Sequence, residues 1–331
     1  MERRTLSEKT EHSMAVRIIT SLVFALLTVP CAVLGGWFLL ILSLLIVGFA
    51  SYEILSMPGK GKYHPGIWVA TYLCIFGSIF WQFLGDRNIR EPLFQGNNFS
   101  MGNTSFLVSL LIMIVYLSIL IIFSLFRNDF SLDDALHLFI PVTLVSLGFY
   151  SILFIRYNPV RGYGTIWNGF IPDLRSCLFL WWVLFGVWMS DIGAYFVGVF
   201  FGRHPMNAKI SPHKTWEGFV GGVILSLVFS FTYVAVVNIA LKTSLIPEVL
   251  DVLKDPSDWG YVALFALLFP ILDNVGGFTF SALKRHYGAK DWGRLLPGHG
   301  GVLDRFDGVL VTSIVVCILL VFISSDWSLV L

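Results

Sequence analysis

CLFLWWVLFGVWMSDIGAYFVGVFFG, Cys177 to Gly202, is a run of 26 residues with a single charged side chain, Asp191. As an α-helix it would extend about 39 Å at 1.5 Å per residue, enough to cross a hydrocarbon core of about 30 Å. Lipid offers no partner to a backbone N–H or C=O, so a run of this kind has to be helical. Eight further apolar runs lie near residues 16–34, 36–56, 66–85, 105–126, 137–155, 218–240, 259–281 and 309–325. The fold class that follows is an all-α polytopic membrane protein of about nine transmembrane helices joined by short polar loops.

Composition agrees. The 331 residues are 56% hydrophobic and 13% charged, with 30 Phe and 11 Trp, and the mean hydropathy is +0.79. The net charge of +1 says nothing about nucleic acid, and with no basic tail or aromatic-basic interleaving no nucleic-acid partner is expected. Cys31, Cys74, Cys177 and Cys317 sit in or beside apolar runs without CxxC spacing, which makes them packing residues instead of a disulfide or zinc framework. The charged leader before the first run resembles a signal peptide, but the run is too long for one and no small-residue cleavage site follows, so it is read as a retained span.

Charge is gathered at SALKRHYGAKDWGRLLPGHGGVLDRFDG, Ser281 to Gly308. Lys284, Arg285, Lys290 and Arg305 can offset the charge of a polyphosphate. Asp291, Asp304 and Asp307 are hard oxygen ligands of the kind Mg²⁺ takes. The glycines of Pro297-Gly298-His299-Gly300-Gly301 allow backbone N–H groups to approach a phosphate. Asp304 and Asp307, just after the start of an apolar run, are expected on one face of a first helical turn. A cytoplasmic loop obeying the positive-inside rule, with aspartates as helix caps, would explain single charges. It does not explain glycines and a histidine set between the charged clusters.

Taken together, Ser281-x-x-Lys284-Arg285, Lys290-Asp291 and Pro297-Gly298-His299-Gly300-Gly301-x-x-Asp304-Arg305-x-Asp307 resemble the signature of the phosphatidate cytidylyltransferase (CDP-diacylglycerol synthase) family. A second stretch is similar to the same family: Asp191-Ile192-Gly193-Ala194-Tyr195-Phe196, followed by Ile210-Ser211-Pro212-His213-Lys214-Thr215-Trp216-Glu217-Gly218. An intramembrane carboxylate such as Asp191 costs about 2.5–3.5 kcal/mol on insertion scales and points to a polar cavity, or to an interhelical pair. Lys214 can meet a phosphate, and Glu217 can join a metal shell or orient Lys214. Gly218, Gly221 and Gly222 permit close helix approach. Fainter likeness reaches Arg17-Ile18-Ile19-Thr20 and Glu53, although Glu53 also fits a side chain snorkelling to the interface.

The resemblance implies transfer of the cytidylyl group of CTP to phosphatidate held in the bilayer, giving CDP-diacylglycerol and pyrophosphate. It implies Lys284, Arg285, Lys290, Asp291, His299 and Arg305 as catalytic, and Lys214, Glu217, Ser281, Gly300 and Gly301 as substrate-binding. Asp304, Asp307, Asp191 and Asp273 are the expected ligands for Mg²⁺, with a second cation as an option. One departure stands out: Gly276-Gly277-Phe278-Thr279-Phe280 precedes Ser281 where the family has G-D-L-x-x, so Gly277 replaces a carboxylate. Asp273, four residues earlier on the same face, is the candidate to substitute. That departure leaves open another lipid phosphate as acceptor, or a non-catalytic, transporter-like role. The spaced aspartates of CDP-alcohol phosphotransferases are not found.

Lys and Arg divide 15 to 7 if the N-terminus is cytoplasmic, which places the N-terminus and the Ser281–Asp307 loop on the cytoplasmic face of a bacterial membrane. Without the 5 in that loop the division is still 10 to 7. The Asn98 and Asn103 glycosylation triplets carry little weight. The organisation expected is an N-terminal region of about four spans, 1–135, and a catalytic region of about five, 136–331. Gly35, Gly36 and Gly48 could build a helix interface, either within the protomer or between the protomers of a homodimer.

Overall fold

A computed structural model describes residues 8–59, 61–84, 104–157, 174–242, 244–245, 250–293, 295–296 and 300–324. His299, the Asn98 triplet and Asn103 lie outside the described residues. Within them are nine α-helices: α1 Glu8–Leu34, α2 Gly36–Ser56, α3 Pro65–Leu84, α4 Thr104–Phe126, α5 Leu132–Tyr157, α6 Leu174–Phe201, α7 Trp216–Ala240, α8 Trp259–His286 and α9 Asp307–Ser324. A small antiparallel hairpin, β1 Pro205–Asn207 and β2 Ser211–Thr215, joins α6 to α7. The chain is an all-α membrane protein. Six of its helices have the length and apolarity of full spans, while α1, α3 and α9 carry shorter apolar stretches among the described residues.

Each apolar run became a helix, and the boundaries moved for physical reasons. The eighth helix continues past Ser281 to His286, so Ser281, Lys284 and Arg285 stand on a helix and not in a loop. Lys284, Arg285 and His286 fall in its last turn, where cations suit the negative end of the helix dipole. The first turn of α7 is capped by Thr215, whose Oγ1 accepts from Gly218 N at 3.1 Å.

α6 and α7 are in backbone contact. A Cβ on Gly218 would stand 2.7 Å from Ala194 O, one on Gly222 2.8 Å from Ser190 O, and one on Gly193 2.6 Å from Gly221 O. Small residues let two helices approach where dispersion and not water drives association. The outer side of the pair, including Tyr195, Phe196, Val199, Val220 and Ile224, is exposed and apolar, as a lipid-facing surface should be.

The loops after α2, α4, α6 and α8 meet at one end of the bundle. Lys62 pairs with Asp134, the Tyr63 and Tyr287 hydroxyls lie 3.5 Å apart, and Arg285 Nη1 and Nε donate to Ala289 O at 3.0 Å and Ile210 O at 3.5 Å. Burial pushes both tyrosine phenols up, so each keeps its proton. Alternate loops therefore share one end, as the charge count requires of an up-and-down bundle.

The opposite end is tied by Arg156, only 2% exposed. Its Nε donates to Ala32 O at 2.9 Å, Nη2 to Val33 O at 2.9 Å and Nη1 to Ser176 Oγ at 3.0 Å. The guanidinium thus satisfies carbonyls left open at the end of α1. Gly35, at φ +63°, leaves it room, since a Cβ there would lie 2.9 Å from Nη2. Gly48 packs against Phe76 of its own chain, with its Cβ position 3.6 Å from that ring. Two of the three glycines thus serve contacts within the protomer, one of the two uses expected of them.

Arg156→Met keeps the apolar stem but leaves those carbonyls unpaired, and is expected to destabilise by about 2–4 kcal/mol. A lowered melting temperature in detergent, with the helical circular dichroism signal retained before melting, would report it.

Candidate active site

The site is built on α8. Asp273, Gly277 and Ser281 follow one another at intervals of four, on one face of that helix. Asp273 is 5% exposed and its carboxyl faces that of Asp191 on α6, with Lys214 and Asp307 close enough to act on it electrostatically. Asp307, the first residue of α9, caps its own helix by accepting from Gly308 N at 2.9 Å. α8 and α9 are in backbone contact beside it: a Cβ on Gly276 would collide with Asp307 O, and one on Gly308 with Asp273 Oδ1. Three carboxylates from three helices and one lysine therefore converge.

The lysine enters through the gap left by Gly277. A Cβ on Gly277 would stand 2.7 Å from Lys214 Nζ and 4.0 Å from Asp307 Oδ2. The ammonium also lies 5.3 Å from the centroid of the Phe278 ring. Where the family pattern leads one to expect a carboxylate, this chain has space, and β2 fills it with a cation. A pocket of about 180 Å³ lined by Asp191, Ala194, Tyr195, His213, Lys214 and Asn274 opens here. It lies among α6, the hairpin, α7 and α8.

Other expected site residues hold the scaffold. Lys284 Nζ pairs with Asp304 Oδ1 at 2.6 Å, each side chain 9% exposed, and Asp304 Oδ2 accepts from Trp292 N at 3.0 Å and Gly301 N at 2.9 Å. These contacts fold Leu303–Arg305 into a 3₁₀ turn, so Asp304 and Asp307 do not share a first helical turn as expected. Only Asp307 reaches the carboxylate cluster; Asp304 binds the loop. Gly300 makes the turn at φ +83°, and its Cβ position is 3.1 Å from Asp304 Oδ2.

Glu217 likewise clasps the hairpin: Oε2 accepts from Arg203 N at 3.1 Å and His204 N at 3.2 Å, and Oε1 meets the His204 ring. Those contacts, together with its position beyond Thr215, give it a loop-closing role. Lys290, Asp291, Arg285 and Arg305 are exposed around the site, and Ser281 is half-buried.

Glu53 was under-read in sequence. It does not snorkel: it is 2% exposed, and its carboxylate accepts from Val302 N at 2.8 Å and Leu303 N at 3.1 Å. Gly293 and Gly301 are shaped around it, since a Cβ on either would stand within 2.8 Å of Oε1. The available signal was a lone glutamate inside a span, which costs too much to leave unpaired.

Glu53→Gln replaces one acceptor oxygen by an N–H donor aimed at another donor. The loss of one charge-assisted bond, about 2 kcal/mol, is expected to lower the melting temperature and to speed proteolytic cleavage between residues 287 and 306.

The sequence profile of the Cytidylyltransferase family matches residues 15–323. The chain is 32% identical to the phosphatidate cytidylyltransferase of Staphylococcus saprophyticus and 30% identical to that of Staphylococcus haemolyticus, each over 93% of this chain and 99% of the relative. It is 28% identical to the phosphatidate cytidylyltransferase of Bacillus subtilis over 90% of this chain and 94% of that protein. With a match of that length, and with the family's two charged stretches meeting at one cluster, the chain belongs to the cytidylyltransferase family.

Proposed function

We propose that this protein transfers the cytidylyl group of CTP to phosphatidate, giving CDP-diacylglycerol and pyrophosphate, at the cytoplasmic face of a bacterial membrane. The observation that carries this reading is the convergence of Asp191, Asp273, Asp307 and Lys214 where α6, α8, the start of α9 and the hairpin meet, beside helices whose outer side faces lipid.

A phosphate oxygen of phosphatidate is already ionised and attacks the α-phosphorus of CTP. A new P–O bond forms, the bond from the α-phosphorus to the oxygen bridging to the β-phosphate breaks, and pyrophosphate departs with that electron pair. Alignment and charge compensation do most of the work, since no proton has to leave the nucleophile. Lys214, held beside Asp307 in the gap of Gly277, is placed to neutralise phosphate charge. Lys290 and Arg305, exposed around the site, draw two anionic substrates together. Lys284 stays with Asp304 and keeps the loop in shape. The acyl chains remain in the bilayer against α6 and α7 while the head group reaches the pocket.

The donor set fits Mg²⁺. Three carboxylates, the buried Asp273 among them, face one ammonium and offer hard oxygens of the kind this ion takes. Asp191, Asp273 and Asp307 would hold it. The ion would supply Lewis-acid stabilisation of charge on the phosphates and the departing pyrophosphate.

In mixed micelles, CTP and phosphatidate are expected to yield CDP-lipid and pyrophosphate in equal amounts, and EDTA to stop the reaction. Asp307→Asn should lower turnover by about a hundredfold or more. No product from phosphatidate, with product from a different lipid phosphate, would reassign the acceptor; no turnover with any would defeat the proposal.

Gly277→Ala tests the lysine gap. The end of a lysine side chain can move, so the fold is expected to survive with an unchanged melting temperature. Turnover should fall about tenfold, the scale of 1.4 kcal/mol in the barrier, because the ammonium is pushed from the carboxylates.

A further inference from the structure

Outside the active site, Asp133, His137 and His286 stand together at the same end of the bundle. Asp133 and His137 lie four residues apart in the first turns of α5, and His286 is the last residue of α8. Each offers one ligand atom, and the three atoms are all within 4.8 Å of one another. Asp133 Oδ2 is 3.9 Å from His286 Nε2. Bonds of about 2.0–2.1 Å in tetrahedral zinc sites place neighbouring ligand atoms about 3.3 Å apart, so small side-chain rotations suffice to close the site.

The arrangement is not explained as an ion pair. The two imidazoles stack with centroids 3.5 Å apart and planes 17° apart, and one carboxylate serves both. His137 Nδ1 lies 2.9 Å from Asp133 O. A carbonyl only accepts, so Nδ1 holds the proton and Nε2 keeps the lone pair, the pattern by which a backbone carbonyl fixes a ligating histidine. The Tyr287 ring stands edge-on to both imidazoles. Asp134 is engaged by Lys62, which leaves Asp133 to the histidines.

We propose that Asp133, His137 and His286 form a binding site for a divalent transition metal of the zinc class, distinct from the carboxylate cluster. Two imidazoles and a carboxylate select such a metal over Mg²⁺, which prefers oxygen ligands. Three protein ligands leave a position for water. Occupancy would bolt the start of α5 to the end of α8, next to Lys284 and Arg285, and so fix where the charged segment leaves the helix.

The test uses the untagged full-length protein in detergent, stripped with chelator and titrated with Zn²⁺ in excess Mg²⁺, with Co²⁺ as a spectroscopic probe. One equivalent of Zn²⁺ that raises the melting temperature, and a Co²⁺ spectrum of a four-coordinate nitrogen and oxygen site, are expected. His137→Ala and His286→Ala should each weaken that equivalent by about a hundredfold or more, the upper end of what ligand-shell losses cost, while Asp307→Asn keeps it. Asp133→Asn, a change at an exposed side chain, should give the same loss without disturbing the stacked rings. An equivalent that survives all three substitutions, one that disappears in Asp307→Asn instead, or no binding in the wild-type protein would each overturn the proposal.

Discussion

The charged segment between α8 and α9 depends on a carboxylate that arrives from the second helix. Glu53 is buried, and a buried carboxylate is tolerated only when its oxygens are hydrogen-bonded. Val302 N and Leu303 N supply that, and in doing so fix where the 3₁₀ turn before α9 begins. Gly293 and Gly301 leave room for the carboxylate. The glycines of the segment therefore serve an internal ligand as well as any external phosphate. The contact also joins positions 249 and 250 residues apart, which makes α2 part of the site's frame.

Residues of the same chemical type divide into two sets according to their partners. Lys284 with Asp304, Arg285 with the hairpin carbonyl, and Glu217 with the backbone of Arg203 and His204 shape the two loops. Asp191, Asp273, Asp307 and Lys214 are left facing one another. A charge whose partners are backbone groups and a close counter-ion is held in place. One whose neighbours are mostly of like sign needs something from outside, and that contrast separates scaffold from chemistry here.

Hydropathy revealed the architecture because lipid allows a long apolar run few alternatives to helix. The second and fourth helices and the start of the eighth fell within a residue of the sequence reading. The end of α8 was hidden because Lys284, Arg285 and His286 stop a run of apolarity without stopping a helix. The cluster was legible as a set of residue types near one loop, including Asp273 as the carboxylate nearest to Gly277. The split between Asp304 and Asp307 was not, because spacing alone cannot tell which of two aspartates meets backbone N–H groups from Trp292 and Gly301. Glu53 was hidden for a related reason: its partners are backbone atoms, which have no sequence identity to notice.

The lysine from β2 and the glycine on α8 share one volume although 63 positions separate them (277 − 214). Any bulk added at residue 277 has to be taken from the reach of residue 214. Among descendants of this sequence the two positions should change in concert, with a side chain returning at 277 where residue 214 has shortened or swung away. Such a pair makes the fitness of either substitution depend on the other, so the order in which they are acquired decides which routes remain open to the lineage.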